Sequence, residues 1–173
     1  MSVTLQPMDS VPPGHGIWNV FRLLSDNDRE ETHLNTTYIS WWDIPLPYGL
    51  VFDLGKERTV ARVDLRNGYA KVWASGVKDF EISLGHTESG PWTTILSDTL
   101  TPKVWPNGIS TDNSLPAPQR EEFHVENPVR GQFLKFLCLS TYQSLKDGGH
   151  PDQHRCSLNY LGVFETLIAS PWN

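Results

Sequence analysis

Apolar and polar residues alternate in short runs along much of this chain. In Val77-Lys-Asp-Phe-Glu-Ile-Ser-Leu84, Phe80, Ile82 and Leu84 fall on one side of an extended backbone, and Asp79, Glu81 and Ser83 fall on the other. Ala61, Val63 and Leu65 alternate with Arg62, Asp64 and Arg66 in the same way. A period of two is the signature of a half-buried strand. Leu50–Leu54 predicts a strand stopped by Gly55, and Glu121–Val125 another. Trp92–Leu96 predicts one more, after a turn at Ser89-Gly90-Pro91. Two late runs, Gln132–Leu139 and Leu158–Phe164, are apolar on both faces. Such runs suit central strands, covered on both sides.

No segment carries a convincing helical period; Ile17–Arg29 has room for one short helical turn. Several short strands separated by turn residues predict a sandwich or barrel. Four stretches read as long loops: about Ser25 to Pro47, Tyr69 to Gly76, Pro102 to Gln119 and Ser140 to Arg155. Loops of that length in a compact domain are usually functional or disordered. With 173 residues, neither an internal repeat nor a boundary divides the chain, and residues 1–173 are expected to form a single domain.

Composition narrows the function. The 14 Lys and Arg against 20 Asp and Glu leave a net charge of −6, without a basic cluster. Nucleic acid, which demands concentrated positive charge, is not expected as a partner, and the same deficit argues against docking on anionic membranes. The first eight residues lack a charged stretch followed by an apolar run, so no signal peptide is expected. A cytoplasmic chain, or one exported by another route, follows as the expectation. Cys138 and Cys156 allow one disulfide or none, and Cys138 lies in an apolar run where a free buried thiol is the plain reading.

The order of the strands resembles the discoidin, or coagulation factor type C, family. Val51-Phe-Asp-Leu-Gly55 is similar to that family's Asp-Leu-Gly strand, and Thr59–Arg66 to the strand after it. Gly76-Val-Lys-Asp-Phe-Glu-Ile-Ser83, Gly90-Pro-Trp92, Gly131–Phe136 and Leu158–Glu165 resemble further family motifs in the family's order. Matched stretches cover roughly half the chain. The sequence departs from the family where Leu24-Ser-Asp-Asn-Asp28 replaces the opening Asp-Gly turn, and where the flanking cysteine pair is missing. The resemblance implies an all-β jelly-roll β-sandwich, galactose-binding-domain-like, with little or no helix. It also implies ligand loops at one end and often a structural Ca²⁺.

For that ion the resemblance points to Asp26, Asp28, Thr32 and Glu165, an all-oxygen donor set of the kind Ca²⁺ takes. The plain alternative is a solvated acidic turn. For a ligand, the loops offer the parts of a sugar site: aromatic faces for apolar CH groups, and rigid polar groups for hydroxyls. The candidates are His33, Asn35 and Trp42 from the first loop, then Arg66, Asn67, Tyr69 and Trp73 from the second strand end and loop. Tyr142, His150 and His154 come from the third loop. The plain alternative is that the tryptophans plug the core and the histidines are surface residues. Arg62-Val-Asp64, Arg66 or Lys71, and His33 resemble the order of a fucose-binding motif, although the spacing differs.

The expected function is therefore a non-enzymatic carbohydrate-binding module or lectin for a galactose-type or fucose-type sugar. Weak binding of single sugars would draw on homo-oligomers for avidity. The alternatives are an intracellular module that binds a protein partner, or a lipid-surface binder. Catalysis finds no support: Gly-x-Ser-x-Gly, a P-loop and His-Glu-x-x-His are all missing. Glu30-Glu31 and Glu121-Glu122 are adjacent carboxylates, which point to opposite faces of a strand.

Overall fold

A computed structural model describes residues 6–7, 38–39, 46–67, 76–101, 120–142 and 156–165. Among them are eight antiparallel strands and no helix, as the alternation predicts. They are β1 (Gln6–Pro7), β2 (Tyr38–Ile39), β3 (Tyr48–Asn67), β4 (Asp79–Gly85), β5 (Trp92–Thr99), β6 (Arg120–His124), β7 (Arg130–Cys138) and β8 (Ser157–Glu165).

Strand β3 organises the molecule. Its first half pairs with β1 and β7, and β7 passes the ladder on to β4 and β5. Its second half lies between β6 and β8, with β2 beyond β8. Twenty extended residues would span roughly 65 Å. Yet both ends of β3 share neighbours. Tyr48 pairs with Cys138, while Asn67 bonds Val77, whose bridge partner is Thr141. The strand must therefore fold back on itself.

The corner lies where the register against β7 slips, between Asp53 and Arg58. Gly55 takes φ 76°, and its N–H donates to Asp53 Oδ1 at 2.8 Å, while Arg58 Nε donates to the Leu54 carbonyl. A side chain resists that positive φ, so glycine suits the turn. Gly55 is thus a corner between layers, and the ladder runs on through it rather than stopping there.

The two halves of β3 feed two layers, and the core lies between them. Phe80, Ile82 and Leu84 of β4 are buried, as are Leu134 and Phe136 of β7, Val63 and Leu65 of β3, and Leu161 and Val163 of β8. Phe80, in one layer, meets Phe123 of β6, in the other, edge to face at 5.1 Å. Aromatic pairs of this geometry add to simple area burial. The two doubly apolar runs become β7 and β8, each paired on both sides. Trp92–Leu96, by contrast, belongs to the edge strand β5, whose residues are exposed or half-buried. The Ser89-Gly90-Pro91 turn forms as expected, with Gly90 at φ 89° and its N–H bonded to the Thr87 carbonyl.

Candidate functional site

One end of the sandwich gathers Asn67, Thr101 and Tyr142, the described residues that border 68–75, 102–119 and 143–155. Asn67, at the end of β3, is buried and donates through Nδ2 to the carbonyls of Val77 (2.8 Å) and Thr101 (3.3 Å). Tyr142 donates its hydroxyl to the Leu100 carbonyl at 2.8 Å, and its backbone N–H to the Gly76 carbonyl at 2.9 Å. Lys78 N–H donates to Ser140, and Leu100 N–H to Lys78. Glu121 accepts from the backbone N–H of Thr101 and from its hydroxyl. The residues flanking 68–75, 102–119 and 143–155 are therefore tied into one rim.

Asp79 anchors the same end. Its carboxylate accepts from the Ser140 hydroxyl and, at 2.8 Å, from Thr99 Oγ1. Those bonds, Ser140 first, hold its pKa below the usual carboxylate value. Tyr142 shifts the other way: burial first, then the Asp79 and Glu121 charges, raise its phenol.

A second group lies on the outward face of β3, beside the rim. Arg62, Asp64 and Arg66 point out, opposite His124, Glu122 and Arg120 of β6 and Phe164, Gly162 and Tyr160 of β8. Arg120 stacks on Tyr160 at 4.4 Å, and Arg62 on Phe164 at 4.1 Å. The Tyr160 ring fills the space a side chain at Gly162 would need. Asp64 faces that glycine in the ladder and is 0 % exposed. Arg62 Nη2 donates to Asp64 Oδ2 at 3.3 Å, with Nε 2.9 Å from Oδ1 but poorly aligned, and Nη1 reaches Glu122 at 3.1 Å. Burial raises the Asp64 pKa, and Arg62 opposes that shift. An exposed pair of this kind would be a weak surface contact. The covered carboxylate makes it a constraint on the face instead.

The structure brings Arg66, Asn67 and Tyr142 to the same end, but not in equal roles. Asn67 and Tyr142 spend their polar groups on backbone carbonyls and act as struts of the rim. Arg66 is half-buried on the outward face, next to the Arg120–Tyr160 stack. Glu165 lies near the opposite, Gly55 corner, where its Oε1 accepts from Arg58 at 3.0 Å. His33, Asn35, Trp42, Tyr69, Trp73, His150 and His154 lie outside the described residues, as do Asp26, Asp28 and Thr32. Sequence reasoning missed Arg120 and Tyr160. Only the cross-strand register sets them beside Arg66, and no local pattern announces that register.

Comparison with known proteins places the fold. No family model matches the sequence, and no curated protein does. Solved structures do match over nearly the whole chain. One is the family 32 carbohydrate-binding module of Clostridium perfringens NanJ in complex with galactose, at TM-score 0.62 and 15 % identity, covering 95 % of this chain and 98 % of that one. Another C. perfringens family 32 module, in complex with GalNAc-β-1,3-galactose, has TM-score 0.62 and 12 % identity, with 95 % and 99 % coverage. The family 32 module of Streptococcus pneumoniae EndoD has TM-score 0.61 and 14 % identity, covering 96 % and 100 %. The chain thus has the all-β sandwich fold of family 32 carbohydrate-binding modules, a galactose-binding-like fold close to the discoidin type.

Proposed function

We propose that this chain is a non-catalytic carbohydrate-binding module that takes a galactose-type or fucose-type sugar at the loop rim. The observation that carries this reading is the rim itself. Asn67, Thr101 and Tyr142, which border the segments 68–75, 102–119 and 143–155, are tied together beside Arg66, on a fold shared with modules solved with galactose and with GalNAc-β-1,3-galactose. A guanidinium presents a planar fork of donors, which suits neighbouring hydroxyls. Tyr69, Trp73 or Trp42 would supply the aromatic face.

The test is a glycan array followed by calorimetry with the best sugar. Arg66→Ala is expected to weaken binding by about 10- to 100-fold, the loss of one or two charge-assisted hydrogen bonds, while the melting temperature stays near that of the parent. Equal affinity of parent and variant would overturn the role of Arg66. Binding to phosphatidylserine vesicles, with no glycan retained, would overturn the sugar reading as a whole.

We also propose a structural Ca²⁺ held by Asp26, Asp28, Thr32 and Glu165. The donors are all oxygen and suit a hard cation. Because Glu165 already holds Arg58, an ion would share that carboxylate with the guanidinium.

A further inference from the structure

Cys138 closes β7 in one layer, and Cys156 precedes β8 in the other. Both are buried and both are free thiols. They face each other across the core at the rim end, where the Cys156 thiol is hydrogen-bonded to Cys138 and Cys138 Sγ also reaches the Ser140 carbonyl at 3.5 Å. Two thiols in mutual contact are contributed by different layers. We propose that Cys138 and Cys156 form a disulfide, a staple between the two layers that fixes both ends of the 139–155 segment whenever the chain folds under oxidising conditions.

The chemistry balances with a small disulfide as oxidant. One cysteine thiolate attacks a sulfur of oxidised glutathione, whose S–S bond breaks and releases one glutathione thiolate. The second cysteine loses its proton and attacks the mixed disulfide, releasing the second glutathione. The protein gives up two protons and two electrons; the oxidant leaves as two thiols. Timing follows from the surroundings. Contact with Cys138 and burial raise the Cys156 pKa, which keeps that thiol protonated, and burial shields both sulfurs of the folded protein from an external oxidant. Exchange therefore belongs to the folding chain, and once formed the buried bond resists reduction. Under reducing conditions the same two side chains pack as small apolar groups, so the fold does not depend on the bond.

The chain, unfolded in urea, is refolded in a buffer of oxidised and reduced glutathione and allowed to reach equilibrium. Mass spectrometry and non-reducing peptide mapping then read the products. The expected species is about 2 Da lighter, with the Cys138 and Cys156 peptides joined. Its melting temperature should exceed that of the reduced protein by about 5–10 °C, as closure of a loop of this length implies. Cys156→Ala, refolded alike, should give no lighter species. Two free thiols at equilibrium, glutathione left on either cysteine, or a linked protein that melts below the reduced one would overturn the proposal. These readouts are independent of sugar binding, so the staple and the carbohydrate reading can fail separately.

Discussion

Asp64 shows how far a single residue's setting departs from its place in the sequence. It stands on the polar side of an alternating strand, where solvent is expected, yet Tyr160, folded across Gly162, and the Arg62 side chain close over it. Burial raises its folded pKa, so its favourable contribution is present in acid and lost as pH rises through that value. Asp79 behaves oppositely. Its pKa is lowered by Ser140 and Thr99, so its contribution is present above the unfolded value and lost in acid. Arg62→Ala should strip Asp64 of its nearest counter-charge and cost on the order of 3 kcal/mol at neutral pH. With Arg62 gone the Asp64 pKa climbs further, so the loss should be larger at about pH 8 than at about pH 4. Urea unfolding curves at both pH values check this; a loss independent of pH would contradict it.

At the scale of elements, β3 is legible in halves. Val51-Phe-Asp-Leu and Ala61–Arg66 each announce a strand through alternation, and both halves are present in the structure. Their union is not announced, because a corner and a stop look alike at Gly55: both want positive φ. What secures the far half of β3 is Asn67, whose amide spans β3, the Val77 bridge and the end of β5. Its side chain also fills the space that a Cβ at Gly76 would enter, 2.8 Å from Asn67 Oδ1. Asn67→Ala should leave buried carbonyls unsatisfied and cost about 2 kcal/mol. Proteolysis should then cut first next to the rim, within 68–75 or 102–119. Urea denaturation and mapping of the first protease fragments measure both effects. An unchanged midpoint would mean that the rim is held elsewhere.

At the scale of the whole molecule, the two proposed sites lie at different ends. The rim gathers Arg66, Asn67, Tyr142 and both cysteines, whereas Glu165 sits near the Gly55 corner with Arg58. A cation bound through Glu165 would therefore brace the corner and leave the proposed sugar end untouched. EDTA treatment should lower the melting temperature by several degrees, as expected when a ligand of the native state is withdrawn, and added Ca²⁺ should restore it without altering sugar affinity at temperatures well below melting. A melting temperature indifferent to EDTA would remove the ion.

Alternation of polarity was enough to declare an all-β sandwich or barrel, because a strand with one buried face must repeat every second residue; the choice of a sandwich came from the family resemblance. The doubly apolar runs likewise marked β7 and β8 as strands with a neighbour on each side, but the expected cover on both faces is not met in β7, where Leu134, Phe136 and Cys138 are buried while Phe133, Lys135 and Leu137 are half-buried. The candidate site was only half legible. Residue type, loop position and the family resemblance named Arg66, Asn67 and Tyr142, but the roles of Asn67 and Tyr142 depend on which carbonyls lie within reach, and those carbonyls belong to residues 10, 34 and 42 positions away. Pairing register, the reversal of β3 and the meeting of Cys138 with Cys156 are long-range facts. They are decided when two layers close on a shared core, and no local window of sequence contains them.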